Sequence, residues 1–236
     1  MGRLRRTLLF SAVLLAVLFL TPQDMPFDTA EIAFIGDSLT LGAAASSLSN
    51  DFVSLVTRDI QSRDPDDKES LFISVDPDTD LAVTSRAMKH DRKVVIIELG
   101  VHAAIDQQLA YDDFRSLYAS LLDCVTGGDT IVVAGTVPWL GFAAVTPDYE
   151  RADALSQIIA EEAAKRQVAV ADLWSATKLR LGLISTPQDS TFLSSGHGDN
   201  FHPNDAGHAV IAQVYEQAID QELAQPPNRP FSRQCH

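Results

Sequence analysis

Short apolar runs alternate with longer amphipathic stretches along most of the chain. Five runs have the length of β-strands, at residues 32–35, 71–75, 94–99, 130–136 and 168–171. We interpret the third and fourth as continuously apolar, which is typical of strands that are covered on both faces. The pattern therefore predicts a sheet whose central strands are buried between two other layers.

Amphipathic helices are predicted between these runs. In residues 114–122, 155–163 and 210–219, apolar side chains recur every three to four positions, as on one face of an α-helix. Strands that alternate with helices favour a parallel sheet with right-handed crossovers and helices on both faces. The expected fold is α/β, a three-layer α/β/α sandwich around a five-stranded, flavodoxin-like parallel sheet. Residues 174–201 show no clear period, and we expect an irregular and functional connection there.

The first thirty residues have the layout of a targeting segment. Three arginines precede a mostly apolar run at residues 8–20. As a helix this run would span only about 20 Å, less than a hydrocarbon core of roughly 30 Å. Because no clean cleavage site follows, residues 1–30 fit either a signal peptide or an uncleaved N-terminal membrane anchor. Both interpretations predict an extracytoplasmic protein that is secreted or anchored, with no other contact to the membrane.

The rest of the chain is expected to form one domain. Residues 31–224 contain all the predicted strands and helices, and residues 225–236 form a proline-rich tail. The chain has 236 residues, of which 46% are hydrophobic and 21% charged, as is usual for a globular protein. Its formal charge of −14 would repel phosphate backbones, so we expect no nucleic-acid partner. The acidity fits a saline habitat or a protein that stays monomeric, and we expect a monomer.

The sequence contains two cysteines, Cys124 and Cys235. An exported protein meets an oxidising environment, in which the two thiols can pair. Cys124 falls in a helical pattern that would bury it, and Cys235 is next to the last residue. A disulfide and two free thiols are therefore equally compatible with the sequence.

Candidate chemistry follows the first predicted strand directly, in the string Gly36-Asp37-Ser38-Leu39. In a parallel sheet, ligands bind outside the carboxyl ends of the strands, so Ser38 lies where a nucleophile would be presented. Gly36 allows the backbone to turn tightly. We expect Asp37 to hydrogen-bond the backbone of this loop rather than to take part in the chemistry.

A second motif lies near the C-terminus, in the string Asp199-Asn200-Phe201-His202-Pro203. A serine hydroxyl is a weak nucleophile and needs an adjacent base, which in turn needs an orienting partner. A carboxylate three residues before an imidazole can bond Nδ1 and leave Nε2 for the serine. Ser38, His202 and Asp199 thus predict a catalytic triad, although a helix cap at Ser38 and a turn at Asp199 are the plainer interpretations of each residue alone.

A metal site is the alternative for the same region. Imidazoles and a carboxylate are suitable zinc ligands, and the candidates are His197, Asp199, His202 and His208. Pro203 separates His202 from the helix that carries His208, and the triad already accounts for Asp199 and His202. We therefore expect no metal and no other cofactor.

The two motifs resemble those of the GDSL, or SGNH, hydrolases, whose nucleophile lies in a GDSL motif and whose Asp and His come from a D-x-x-H motif. The match is residue for residue at positions 36–39 and at Asp199, His202 and Pro203. The resemblance implies the SGNH hydrolase fold and a serine ester hydrolase that forms an acyl-enzyme on Ser38. It implies small acyl, lipid or glycan esters as substrates. Alternatives are a carbohydrate O-acetylesterase, a lysophospholipase, a thioesterase and a non-catalytic binding protein of the same fold.

The chain departs from this family at the expected oxyanion hole. The family has a glycine after the second strand and an asparagine in a G-x-N-D motif after the third. Here the second motif reads Gly100-Val101-His102-Ala103, and Ser85 is the best match to the glycine. The oxyanion donors implied are the N–H groups of Ser38 and Ser85 and the ring of His102. The residues expected to line the substrate pocket are Gly100, Pro138 and Trp139.

Overall fold

A computed structural model describes residues 31–63, 70–74, 92–105, 109–139, 147–181 and 202–224. In these ranges, five parallel strands form one sheet, with the order β2-β1-β3-β4-β5. They are β1 (Ile32–Gly36), β2 (Ser70–Ser74), β3 (Val94–Glu98), β4 (Ile131–Gly135) and β5 (Ala169–Ala171). All five predicted strands are confirmed, and so is the flavodoxin-like order of the sheet.

Within the described ranges, six α-helices connect or flank the strands. They are α1 (Phe52–Arg63), α2 (Val101–Ile105), α3 (Tyr111–Val125), α4 (Pro147–Lys165), α5 (Leu173–Leu181) and α6 (Asp205–Ala224). α1 and α5 both pack against α6, and α2 and α3 both pack against α4. The result is the expected sandwich of two helical layers around the sheet. The helices predicted from periodicity are α3, α4 and α6, each longer than its apolar stripe.

The helix α5 contradicts the expectation of an irregular connection from residue 174 onwards. Its sequence has no apolar stripe, so periodicity missed it. The helix is started instead by its cap, because the Asp172 side chain accepts the Ser175 N–H at 3.0 Å. In addition, the Trp174 N–H donates to the Thr136 hydroxyl at 2.9 Å, which ties the start of the helix to the end of β4.

The strand ends lie level at one edge of the sheet. In the parallel register, Gly36 pairs with Glu98 and Glu98 pairs with Gly135. Every residue of β1 and β3 is buried. The loops that follow β1, β3 and β4 therefore emerge side by side above a rigid floor.

Tyr215 fixes α6 against the sheet. Its hydroxyl donates to the Ile97 carbonyl at 3.0 Å, and its ring stacks on Phe52 of α1 with centroids 5.5 Å apart. A Cβ at Gly135 would lie 2.0 Å from the Tyr215 hydroxyl oxygen, so only glycine allows this approach. Tyr215 thus couples both helices to the centre of the sheet.

Cys124 is disulfide-bonded and 4% exposed near the end of α3. Of the two states that the sequence left open, the structure shows the paired one for this residue. Cys235 lies outside the described residues, as do the predicted targeting segment and the tail. Within the part of the chain that is described, no helix is long and apolar enough to cross a membrane.

Candidate active site

Ser38 lies in a tight turn directly after β1. The N–H of Asp37 still donates to the Glu98 carbonyl at 3.3 Å, as if the strand continued. The chain then turns, and the Leu41 N–H bonds the Asp37 carbonyl at 3.2 Å. A Cβ at Gly36 would lie 2.4 Å from the Glu98 carbonyl oxygen, which explains the glycine at this close approach. Ser38 is thereby presented, half-buried, at the edge where the strands end.

His202 contacts Ser38, although the two residues are far apart in the sequence. Its Nε2 lies 2.9 Å from the Ser38 Oγ, and the imidazole is half-buried. Two residues later, Asn204 caps α6 by accepting the N–H groups of Ala206 and Gly207 at 3.1 and 3.2 Å. The start of α6 therefore positions the histidine. Asp199 lies outside the described residues.

A clasp of hydrogen bonds joins the loop after β1 to the start of α6. The Asp205 carboxylate accepts the Ser46 N–H at 2.7 Å, the Ser46 hydroxyl at 2.6 Å and the Asn50 amide at 2.9 Å. The hydrogen bonds from Ser46 lower the pKa of Asp205. The segments that carry Ser38 and His202 are thus tied together close to their meeting point.

His208 of α6 adds two further hydrogen bonds, one to the loop after β1 and one to the start of α1. The Phe52 N–H donates to Nδ1 at 3.3 Å, and Nε2 therefore carries the proton and donates to the Ala43 carbonyl at 3.1 Å. The ring is fully buried, and burial lowers its pKa. Both nitrogens are engaged by the backbone, so His208 does not serve the metal site considered above. His197 and Asp199 lie outside the described residues, among which no group of three metal-ligating side chains occurs.

Asp37 joins the loops that follow β1 and β3. Its Oδ1 accepts the Leu39 N–H and its Oδ2 accepts the His102 N–H, both at 3.2 Å. The expectation that Asp37 bonds the loop backbone is confirmed. The backbone N–H of His102 is consequently committed to Asp37, while its side chain is exposed at the start of α2.

The predicted pocket residues follow β3 and β4 at the same edge of the sheet, and they are Gly100, Pro138 and Trp139. Gly100 is buried with a φ of +123°, and a Cβ there would lie 2.7 Å from Val137. Pro138 and Trp139 are also buried, and the Trp139 N–H donates to the Thr177 hydroxyl at 2.7 Å. Their role in binding substrate stays a prediction. Ser85 is outside the described residues.

Two polar residues of this region were missed by the sequence analysis. Arg151 of α4 donates from Nε to the Ala103 carbonyl at 2.6 Å and also bonds the Leu109 carbonyl, which holds the end of α2. Glu98 is 1% exposed, and its Oε2 accepts the Thr40 hydroxyl at 3.2 Å. The interpretation of residues 94–99 as continuously apolar overlooks Glu98. A carboxyl at the end of a buried strand itself indicates a candidate functional residue.

Comparison with known proteins shows the family of this chain and its fold. The chain matches the GDSL-like lipase/acylhydrolase family over residues 34–210. An acetylxylan esterase from Geobacillus stearothermophilus has a similar structure, with a TM-score of 0.63 and 19% identity over 83% of this chain and 96% of that chain. A lipase from a goat rumen metagenome gives a TM-score of 0.64 and 15% identity over 80% and 97%. At such identities the similarity shows a shared fold, and no curated protein sequence matches this chain.

Proposed function

The chain belongs to the GDSL-like lipase/acylhydrolase family and is an ester-bond hydrolase, and from this premise we propose that Ser38 is its nucleophile. The observation that carries the proposal is the contact of 2.9 Å between the Ser38 Oγ and the His202 Nε2. A base at this distance can take the hydroxyl proton as the oxygen attacks. Asp199 is assigned the role of orienting His202, on its spacing in the sequence.

The proposed reaction has two halves. His202 accepts the Ser38 proton while Oγ bonds the ester carbonyl carbon, and the protonated ring then gives that proton to the leaving alcohol. This leaves the acyl group on Ser38. In the second half His202 takes a proton from water, the hydroxide oxygen attacks the acyl carbon, and the proton returns to Ser38 as the acid departs.

The proposed oxyanion donors are the N–H groups of Ser38 and Ser85 and the side chain of His102. Because the backbone N–H of His102 donates to Asp37, the imidazole is the part of this residue that we assign to the oxyanion. The exposure of the side chain at the carboxyl edge of the sheet supports this assignment. No step requires a metal or another cofactor.

The proposed substrates are small acyl, lipid or glycan esters, bound beside Gly100, Pro138 and Trp139. The similar structures include an acetylxylan esterase and a lipase, which supports testing both glycan acetates and lipid esters. The arginine-led apolar segment at the N-terminus supports export, either as a secreted or as an anchored protein, and the charge of −14 fits a monomer. An extracytoplasmic enzyme would meet lipid and glycan esters rather than acyl carriers. Hydrolysis of p-nitrophenyl esters of increasing chain length, measured beside acetylated xylo-oligosaccharides, separates these classes.

The triad is tested by labelling and by kinetics. We expect a fluorophosphonate probe to label the wild type but not Ser38→Ala, and Ser38→Ala and His202→Ala each to lose several orders of magnitude in kcat. The double variant should lose little more, because triad residues act as a unit. Ser49→Ala is the matched control, since its exposed hydroxyl bonds only Ser47 among the described residues. Undiminished labelling of Ser38→Ala would contradict the mechanism, and folded wild type without labelling or hydrolysis would favour the non-catalytic binding protein.

A further inference from the structure

Glu98 is a buried carboxyl that the proposed reaction does not use. It ends β3 directly beneath the turn that carries Ser38, and 1% of its surface is exposed. Its Oε2 accepts the Thr40 hydroxyl at 3.2 Å. No N–H or O–H group of the described residues donates to Oε1, whereas the carboxyl of Asp37 lies within hydrogen-bonding reach of Glu98.

Two carboxyl groups that bond each other in a buried space require a proton between them. Two carboxylates would repel each other, and neither could donate. Asp37 already accepts the N–H groups of Leu39 and His102, which favour its charged form. Burial raises the pKa of both carboxyls, and the neighbouring Asp37 raises the pKa of Glu98 further, to well above its usual range. Of the two carboxyls, Glu98 is therefore the one whose neutral form is favoured more strongly.

Other titratable groups face this pair from three helices. They are His102 from α2, Tyr118 from α3 and Tyr215 from α6. Burial raises the pKa of both tyrosines, so they stay neutral.

We propose that Glu98 is a positioning residue for the ester hydrolysis. As a neutral acid it donates to Asp37, and the single carboxylate of Asp37 then holds the Ser38 turn through Leu39 and the α2 segment through His102. The inference rests on the proposed function, because it takes these two segments to carry the nucleophile and an oxyanion donor. Ionisation of both carboxyls would push the two segments apart.

The side chain of Glu98 is also bound to the Ser38 turn by a separate contact, since it accepts the Thr40 hydroxyl. Loss of the side chain removes both contacts while leaving the backbone bond from Asp37 to the Glu98 carbonyl. We therefore expect a displaced nucleophile turn in a folded protein. A displacement of this kind lowers kcat, because the reacting atoms are misaligned, more than it raises KM.

The test compares Glu98→Gln with Glu98→Leu. Glutamine keeps a donor for Asp37 and an acceptor for Thr40 but cannot ionise, whereas leucine keeps neither. Glu98→Leu should lose up to about 10²-fold in kcat with little change in KM. Glu98→Gln should keep most of the wild-type kcat, because the amide keeps the contacts to both Asp37 and Thr40. Tyr118→Phe is the matched control, since it removes a buried hydroxyl that faces Glu98 without a hydrogen-bond partner among the described residues.

Two kinetic outcomes would overturn the proposal. A glutamine variant as slow as the leucine variant would mean that the charge of Glu98 is needed. A leucine variant as fast as the wild type would mean that the carboxyl positions nothing.

An infrared measurement decides the protonation state without any ester hydrolysis. The carbonyl band of a protonated carboxyl should be present at pH 7 in the wild type and in Ser38→Ala, and absent from Glu98→Gln. Its absence from the wild type would overturn the single-proton pair even if the leucine variant fails to fold. The two failures give different results. Activity that persists in Ser38→Ala would contradict the proposed function, whereas a missing infrared band in the wild type would contradict this inference.

Discussion

At the scale of single residues, one carboxylate organises the site. Asp37 accepts the N–H of the residue after the nucleophile and the N–H of His102, so it joins the two segments assigned to the nucleophile and the oxyanion. A consequence is that His102 has no backbone donor to offer the substrate. Its contribution to the proposed oxyanion hole must come from the imidazole.

The assignment of His102 predicts a defined loss of rate. His102→Ala should lower kcat by about 10²- to 10³-fold with little change in KM, the range for one oxyanion donor. His102→Asn should recover part of this loss, because an amide again supplies an N–H donor. Ile105→Ala, an exposed change on the same short helix, is the control and should keep the wild-type rate. A folded alanine variant that is as fast as the wild type on several esters would leave the hole to backbone donors alone.

At the scale of elements, the distance between nucleophile and base depends on how α6 meets the loop after β1. Asp205 ties the start of this helix to Ser46 and Asn50. His208, one turn further along, bonds the Ala43 carbonyl and the N–H of Phe52 at the start of α1. Its ring also stacks on Phe52, with centroids 6.2 Å apart and an interplanar angle of 14°. Three elements are therefore joined through one neutral imidazole.

This arrangement makes stability depend on pH in a known direction. Burial lowers the pKa of His208 in the folded protein, against an unfolded value near 6.5, although Asp51 and Asp205 partly oppose that effect. Below pH 6.5 the unfolded chain binds a proton that the folded chain excludes. The contribution of a neutral His208 to stability is thus complete above this pH and is lost as the pH falls.

We expect the melting temperature of the wild type to fall more between pH 7.5 and pH 5 than that of His208→Asn. Asparagine cannot titrate, so its variant loses this part of the pH dependence, although it is less stable at pH 7.5. Thermal unfolding of both proteins at several pH values is the measurement. Parallel pH profiles for the two would show that His208 does not titrate differently on unfolding.

At the scale of the whole molecule, the order of the strands brings the site together. β1 and β3 are neighbours although β2 lies between them in the chain, so the loops after β1 and β3 emerge next to each other. This is the place where the sheet changes its direction of winding, at which ligands bind in open α/β sheets. The disulfide at Cys124 adds a covalent constraint on α3.

Reduction should therefore destabilise the protein. A native disulfide contributes about 2 to 5 kcal/mol to the free energy of unfolding, largely by restricting the unfolded chain. We expect a reductant to lower the denaturation midpoint of the wild type, and Cys124→Ser to melt like the reduced wild type with or without reductant. Equal midpoints for oxidised and reduced wild type would contradict this expectation.

Some features could be predicted from the sequence because they depend on local pattern. Short apolar runs located all five strands, of which β1 and β3 are buried throughout, and amphipathic periodicity located α3, α4 and α6. The chemical character of Ser38 and His202 was visible in their motifs, since a nucleophile and a base are needed whatever the fold. Helix α5 was missed because a cap, rather than a stripe, defines it.

Other features depend on which distant segments contact each other, and only the tertiary structure determines these contacts. Three such features are the closeness of the Glu98 and Asp37 carboxyls, the two backbone hydrogen bonds of His208 and the bonds from Arg151 to the end of α2, and all of them join residues from different elements. A local pattern reports that a side chain will be buried or exposed, but a polar group acquires its partner, and hence its charge, from packing. The amino-acid sequence by itself therefore determined the layers and the reacting groups, whereas packing determined how these groups are held.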